Sequence, residues 1–317
     1  MKSAEEYIRS AGKMPPAPKM ISELLSLLGE ESVDISRVVE LISVEPALTT
    51  KILQDCNSVA VGLRVRVDDL SEAVMRLGYN DIYRRVVAIV GQGILSPQKS
   101  GHGLGIGALW EHSAASAISG KVLAQNLGLN ESQIFTASLL HDIGKTVLSK
   151  SLEETYDTVA GRVAHRGCSW VEAERELFDT DHCEVGALVL EHWKFPASVV
   201  TAVRHHHDPA RAQSYEQLAA LVHLADVMAH AIGFGCGSEV STLGPEPEAL
   251  QILELTLKDI EAAMTEAESA VKKSSWLKLS HKPVTVSTAA PRPSRPFLFP
   301  TPKPASAWKD RPEVHPA

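Results

Sequence analysis

The chain of 317 residues is poor in aromatic residues and in cysteine. Phe, Trp and Tyr make up 5% of it, whereas Ala and Leu are abundant. Because Ala and Leu enter helices at little cost and aromatic residues favour strands, this composition predicts a mainly helical protein. The four cysteines form no CxxC pair, so reduced thiols are expected rather than a disulfide framework.

Long apolar runs are also missing from the sequence. No stretch of about 18 apolar residues occurs, so no membrane-spanning helix is expected. The opening residues, MKSAEEYIRS, lack the apolar segment of a secretory signal. These absences predict a cytoplasmic protein with no membrane partner. With 44% hydrophobic residues the chain can bury a sizeable core, and its length favours two domains.

The charge of the chain is unevenly distributed. The net charge is −8, but residues 271–317 hold nine Lys or Arg against two Asp or Glu, so the rest of the chain carries −15. An acidic body is a poor match for nucleic acid, which is not expected as a partner. Nine of the 18 prolines lie after residue 273. We therefore predict a disordered, basic, Pro-rich tail over 273–317.

Helical periodicity and helix breakers divide the remainder of the chain. A helical block over 14–95 precedes the stretch 91–107, whose six glycines and Pro97 predict a linker. A second helical block follows over 108–235. A last helix is predicted over 245–272, with apolar residues at helical spacing that would pack either in the core or in a homodimer.

Histidine is concentrated in and just before the second block, since 11 of the 13 histidines lie between His102 and His230. The most informative segment is LLHDIGK, residues 139–145. Its adjacent His141 and Asp142 can offer an imidazole nitrogen and a carboxylate to one cation. Gly144 is expected to let the chain turn tightly, and Lys145 can neutralise an anion such as phosphate.

Other segments of this block carry side chains of metal-ligand type: His112, His182, the run His205–His207, and Asp226. Asp226 lies on an otherwise apolar helix, where a carboxylate is costly unless it is paired or bound to a metal. Cys183 follows His182 and is interpreted as a buried inert thiol, with oxidation sensing as the alternative. The remaining histidines are interpreted as structural or solvent-facing: His102, His165, His192, His205, His223 and His230.

In their order along the chain, these segments resemble the HD superfamily of metal-dependent phosphohydrolases. The resemblance implies a first divalent metal with four ligands: His112, His141, Asp142 and Asp226. It implies a second metal, which Asp142 would share, with three histidine ligands: His182, His206 and His207. The pair His206–His207 is chosen from the run because the family pattern places an acidic residue, here Asp208, after two histidines.

The chemistry of such a centre would be that of a binuclear transition-metal site. Mixed nitrogen and carboxylate ligands suit Mn, Fe, Ni, Co or Zn. Two cations a few Å apart lower the pKa of a shared water and stabilise the attacking and leaving oxygens of a phosphoester. By resemblance, the catalytic residues would be Asp142 and Lys145, with Lys145 facing the substrate phosphate.

The first block narrows the resemblance to the HDOD family. The segments that carry it are MPPAP at 14–18, ISVEPAL at 42–48, LQDCNS at 53–58 and AVMRLG at 73–78, with further matches at 174–179, 181–186 and 193–196. The resemblance covers residues 15–234. It implies an all-α fold in which an N-terminal helical lobe, 14–95, packs on an HD-like metal-site lobe, 108–235.

Members of the HDOD family are generally regarded as signalling output modules. The resemblance therefore implies a bacterial signal-transduction module that acts on protein partners or on a nucleotide-type ligand. The retained ligand set supports an alternative, a phosphohydrolase acting on a nucleotide or cyclic dinucleotide. A third hypothesis is a nucleotide receptor without turnover. Cyclic-di-GMP hydrolysis is disfavoured, because Asp208–Arg211 stands where such relatives carry a GYP segment, and Ala108 replaces a glutamate that they often have.

Overall fold

The computed structural model describes residues 3–10, 19–27, 34–59, 61–96, 107–152, 156–235, 244–274 and 277. Within these ranges the chain is all-α and has no strand, which confirms the predicted fold class. Among the described helices, none combines the length and apolar character needed to cross a bilayer. The MPPAP segment, linker residues 97–106 and nearly all of the tail over 273–317 lie outside the described residues.

The N-terminal part contains six helices: α1 Ala4–Ser10, α2 Lys19–Leu27, α3 Ile35–Ser43, α4 Pro46–Cys56, α5 Leu70–Leu77 and α6 Tyr79–Leu95. The HD-like lobe contains the next eight: α7 Ala108–Leu127, α8 Glu131–Leu140, α9 Ile143–Leu152, α10 Asp157–Arg166, α11 Trp170–Phe178, α12 His182–His192, α13 Ala197–Arg204 and α14 Glu216–Ala231. Two more follow: α15 Pro247–Ile252 and α16 Leu257–Lys273.

Helix α6 joins the two lobes. It packs against α2, α4 and α5 of the N-terminal lobe and against α7, α8 and α9 of the HD-like lobe. The predicted linker is wrong at its start, because α6 continues past Gly91 to Leu95. A Cβ at Gly91 would lie 2.8 Å from Leu139 Cδ2. The glycine therefore lies where α6 packs closely on α8, and not in a flexible linker.

The core of the HD-like lobe is built around α7, which packs against α8, α14 and α16. Its buried face consists largely of Ala, Ser and Gly, and such small side chains let neighbouring helices approach closely. At Gly120 an added Cβ would lie 2.6 Å from Ser138 Oγ on α8. This close packing brings the starts and ends of several helices together at one point, which is where the candidate site lies.

Helix α1 packs on the HD-like lobe, mainly against α9 and α12. The ring of Tyr7 meets that of Phe178 edge-on, with centroids 6.4 Å apart. Ser151 Oγ donates a 2.8 Å hydrogen bond to the carbonyl oxygen of Tyr7. The chain thus covers the HD-like lobe with its first residues before it forms the N-terminal lobe.

The single helix predicted over 245–272 is wrong, because α15 and α16 are separate helices. The break includes Glu254 in the left-handed region, with φ of 54°. Thr256 then begins α16 with a capping box: its side chain accepts from the Asp259 N–H, and the Asp259 carboxylate accepts from the Thr256 N–H. Ile260 and Met264 are buried, and α16 packs against α7.

Candidate metal centre

Five parts of the HD-like lobe bring the predicted ligands together. His112 lies early on α7, and Asp226 lies on α14. His141 and Asp142 form the junction between α8 and α9, and His182 is the first residue of α12. His206 and His207 follow the end of α13. Six of these seven side chains are buried, with exposures of 2% or less; His207 is the half-buried exception.

A first group of ligand atoms surrounds the Nε2 atom of His112. This atom lies 3.0 Å from Asp226 Oδ1, 3.3 Å from His141 Nε2 and 3.7 Å from Asp142 Oδ2. The Nε2 atom of His141 is 3.5 Å from Asp142 Oδ2 and 3.6 Å from Asp226 Oδ1. Two nitrogens that share a tetrahedral Zn²⁺ lie about 3.3 Å apart, so these spacings fit a common cation.

A second group is centred on His182. Its Nε2 atom lies 3.3 Å from His207 Nε2, and its ring stands 5.5 Å from that of His206. His206 is fully buried, yet its Nε2 atom has no hydrogen-bond partner among the described residues. A buried polar atom without a partner is costly and calls for an explanation, and a cation that binds the three histidines provides one.

Asp142 lies between the two groups. Its Oδ2 faces His112 and His141, while its Oδ1 lies 3.4 Å from His182 Nε2. Oδ1 makes no hydrogen bond to the described residues. The two carboxylate oxygens are thus directed at different ligand groups, which is the arrangement needed for a residue that bridges two cations.

Hydrogen bonds at the outer nitrogens fix the orientation of four imidazole rings. The Nδ1 atoms of three of them donate to backbone carbonyl oxygens at 2.6 to 2.8 Å, namely His112 to Phe234, His141 to Ser138 and His206 to Val203. His182 Nδ1 donates to Glu174 at 2.6 Å. A proton on Nδ1 leaves the lone pair on Nε2 directed inward, as a metal ligand requires.

Glu174 is the main functional residue that sequence reasoning missed. It is fully buried, and its Oε2 accepts from both the backbone N–H and Nδ1 of His182. Its Oε1 accepts from the Tyr156 hydroxyl at 2.8 Å and the Trp170 indole N–H at 3.0 Å. The segment beginning at Glu174 carried the family resemblance, but only the fold reveals that four donors meet on this carboxylate.

Lys145 is buried beside Asp142. Its Nζ donates to Asp142 Oδ2 at 2.9 Å and lies 5.4 Å from the centre of the Trp170 ring. Burial alone would raise the pKa of Asp142, but the positive charges of His141 and Lys145 hold it well below its usual range. His141 and Lys145 together therefore keep Asp142 ionised.

The histidines of the metal-free site have divergent pKa values. Burial lowers the pKa of His141, but Asp142 and Asp226 outweigh it and raise that pKa to about 9. Burial, together with the charges of His141 and His182, lowers the pKa of His206 to about 3. His141 therefore carries a proton where His206 carries a lone pair, and a cation bound by His141 would replace that proton.

Gly144 has a different role from the one predicted. Its φ is not positive, and it lies inside α9, so no tight turn depends on it. An added Cβ would lie 2.0 Å from the backbone oxygen of His182. The glycine instead lets α9 pack directly on the start of α12, and this contact brings Asp142 close to His182.

Comparison with known proteins identifies the relatives of this fold. The family model "HDOD domain" matches residues 14–209, more than half of the chain. A protein of Treponema pallidum without an assigned function is 25% identical over 217 residues, covering 68% of this chain and 42% of that protein. Ribonuclease Y of Thermus thermophilus is 27% identical over 179 residues, covering 56% of this chain and 25% of the ribonuclease.

A solved structure shares the architecture over most of this chain. It is that of a proposed signal-transduction protein from Marinobacter aquaeolei VT8, with a TM-score of 0.69 and 19% identity, covering 86% of this chain and 60% of that one. At this identity the similarity concerns the fold alone. The chain spans less than half the length of both curated relatives, so their whole-protein activities do not transfer directly to it.

Proposed function

The chain belongs to the HDOD domain family, and on this basis we propose that it is a signal-transduction output module whose HD-like lobe holds a binuclear metal centre. In this proposal the centre fixes the relative positions of the helices, and the surface of the protein acts on signalling partners. The observation that carries the proposal is the burial of the site: six of the seven ligand side chains are at most 2% exposed.

Burial matters because structural and catalytic metal sites differ in access. Structural sites are closed by protein ligands, whereas catalytic sites keep a coordination position open to water and substrate. Here the ligands close around each other, and only His207 is half-buried. When bound, two cations would supply Lewis-acid charge and cross-links between α7, the α8–α9 junction, α12, α13 and α14.

The surface of the N-terminal lobe supports action through protein contacts. The four most exposed large apolar side chains among the described residues are Val59 (99%), Val44 (75%), Met75 (68%) and Val65 (58%). All four lie in the N-terminal lobe, away from the ligand groups. In the proposed module, these side chains would belong to the surface that contacts the signalling partner.

A phosphohydrolase is the second candidate function, acting on a nucleotide or cyclic dinucleotide. It is favoured by Asp142, whose two oxygens face separate ligand groups, and by the nearby ammonium group of Lys145. Ribonuclease Y, a relative by sequence, is a phosphodiester-cleaving enzyme by its name. In this function, Asp142 would bridge the cations and Lys145 would add positive charge beside the phosphate.

Hydrolysis assays with the metal-loaded protein separate the two functions. The protein would be supplied in turn with Mn, Fe, Ni, Co and Zn and assayed on a chromogenic phosphodiester, on nucleotides and on cyclic dinucleotides. The output-module proposal predicts bound metal and no turnover above that of Asp142→Ala. Turnover that disappears in Asp142→Ala and persists in His192→Ala, an exposed histidine outside the site, would instead establish the hydrolase.

A further inference from the structure

Cys183 lies next to the second ligand group, and neither the family resemblance nor the proposed function assigns it a role there. Its side chain is 4% exposed. It follows His182 at the start of α12, where Asp181 caps the helix by accepting from the Glu184 N–H at 2.9 Å. The Cys183 Sγ atom lies 3.5 Å from His182 Nε2, the ring nitrogen that is left free to bind a cation.

Three histidines complete a set of four around this position. One ligand atom each of His182, Cys183, His206 and His207 lies within 4.8 Å of all the others. A nitrogen and a sulfur bound to one tetrahedral Zn²⁺ lie about 3.6 Å apart, and two nitrogens about 3.3 Å. The Sγ–Nε2 distance of 3.5 Å and the 3.3 Å between His182 and His207 Nε2 match both values.

His206 provides an independent indication of a ligand at this position. Its Nδ1 is held by the Val203 carbonyl oxygen at 2.6 Å, so Nε2 points away from that contact and into the cluster. This Nε2 is buried and has no hydrogen-bond partner among the described residues. A cation bound in this cluster, with Cys183 beside the three histidines, would satisfy it.

We propose that Cys183 is a thiolate ligand of the second cation, so that the two halves of the centre differ in chemistry. The inference rests on the metal centre of the proposed function and assigns a ligand to it. The first half has nitrogen and carboxylate ligands only, whereas the second has three nitrogens and a sulfur in addition to the shared carboxylate of Asp142. Because soft thiolate ligands select Zn²⁺ over Mg²⁺ or Mn²⁺, the second half is a zinc-type site.

Ligation by Cys183 has a defined proton balance. The thiol loses its proton to solvent as the metal–sulfur bond forms, since the thiolate is the form that binds metals. Its negative charge compensates half of the charge of a divalent cation in a cluster of neutral imidazoles. Asp142 Oδ1, 3.4 Å from His182 Nε2, can supply the remaining negative charge.

Cobalt substitution tests this assignment directly, because a Co²⁺–thiolate bond gives a charge-transfer band in the near ultraviolet that nitrogen and oxygen ligands do not give. The full chain would be loaded with Co²⁺, and its cobalt content and spectrum recorded. We expect the band in the wild-type protein and in Cys56→Ser, whose thiol is buried in the N-terminal lobe. We expect no band in Cys183→Ser or Cys183→Ala.

The same samples separate failure of the inference from failure of the metal centre. Two bound Co²⁺ without a thiolate band in the wild-type protein would overturn the ligand assignment and leave the centre intact. If no Co²⁺ binds at all, both the ligand assignment and the proposed metal centre are overturned. If Cys183→Ala does not fold, Cys183→Ser, which changes one atom, carries the test. The affinity of Cys183→Ser for the second Zn²⁺ is expected to fall by more than about tenfold. A loss of about tenfold is the lower end of the effect of removing a group that only supports a metal ligand.

Discussion

Glu174 and His182 form a buried hydrogen bond in which Nδ1 lies 2.6 Å from the carboxylate oxygen Oε2. The same oxygen accepts from the His182 backbone N–H, and the other oxygen accepts from Tyr156 and Trp170. Both oxygens of this carboxylate thus face only donors. Glu174 thereby sets the ring orientation of His182 and makes its Nε2 a better ligand.

The first prediction concerns Glu174→Gln. The amide nitrogen of Gln would face two donors in either orientation, so the folded protein should lose about 1–3 kcal/mol and affinity for the second metal should fall about 10–100-fold. Chemical unfolding and metal titration measure the two effects. Glu176→Gln, on the exposed side of α11 with surface partners Arg162 and Arg166, is the matched control and should change both little. Equal effects of the two variants would contradict the role given to Glu174.

The second prediction concerns the contact between α9 and α12. In Gly144→Ala, the new methyl group would meet the backbone of His182 at 2.0 Å, and a backbone cannot move aside as a flexible side chain can. The stability of the protein should fall by about 1–3 kcal/mol or more, with loss of metal binding as Asp142 and His182 separate.

A glycine on α10 provides the control for this variant. Gly161 is helical and exposed, and an added Cβ meets nothing within 4 Å. Gly161→Ala should therefore stabilise the protein by up to about 1 kcal/mol, because Ala is the better helix former. Thermal unfolding should show a lower stability for Gly144→Ala and a higher stability for Gly161→Ala. An unchanged stability of Gly144→Ala would show that α9 and α12 do not need this close approach.

The third prediction concerns pH. The pKa of His141 in the metal-free protein is raised from 6.5 to about 9, so its Nε2 carries a proton through this range. Binding must release that proton, and affinity for Zn²⁺ should rise with pH from 6.5 to about 9, by up to about tenfold per pH unit for each proton released. Competition with a chromogenic chelator, calibrated at each pH, measures the slope. A flat or falling affinity would show that His141 is not a ligand.

The same shift has a consequence for stability. A histidine whose pKa is higher in the folded state stabilises the protein fully below its unfolded pKa of 6.5 and ceases to do so as the pH rises through about 9. The stability contributed by His141 to the metal-free protein is therefore lost between these pH values. In the metal-bound protein the cation replaces the proton on His141. The loss of stability due to His141 between pH 6.5 and about 9 should therefore disappear.

Local features of the sequence predicted much of the fold. Asn130 is of a residue type that caps helices, and its side chain accepts hydrogen bonds from the backbone N–H groups of Ser132 and Gln133 at the start of α8. Glycine is common just after a helix end, and Gly128 ends α7 in the left-handed conformation, with φ of 66°. Both depend on interactions within a few residues, so the sequence carries the whole signal.

Features that depend on contacts between distant elements were missed. Helix α9 was not predicted, because the segment after Asp142 was interpreted only as a motif. Gly91 and Gly144 lie where helices from elsewhere in the chain approach closely. The sequence around a glycine does not reveal which distant helix will pack against it. The break before α16 did have a local signal, the Thr256–Asp259 capping box, which the apolar periodicity of the segment obscured.

The candidate site could be predicted only through the family resemblance. No spacing in the sequence places His112 beside Asp226, 114 positions later, yet their ligand atoms lie 3.0 Å apart. The resemblance identified the seven side chains that converge, although the family match ends at residue 209, before Asp226. It did not reveal the supporting carboxylate of Glu174 or the thiol of Cys183, because their importance depends on side-chain positions around His182.

The most direct test of the account is the metal content of protein purified without chelator or affinity metal. Elemental analysis should find about two transition-metal ions per chain, lost in the double variant His141→Ala/Asp142→Ala and retained in His192→Ala, a histidine outside the site. Absence of bound metal, even after incubation with Mn, Fe, Ni, Co or Zn, would contradict the account, because the converging histidines would then require another explanation.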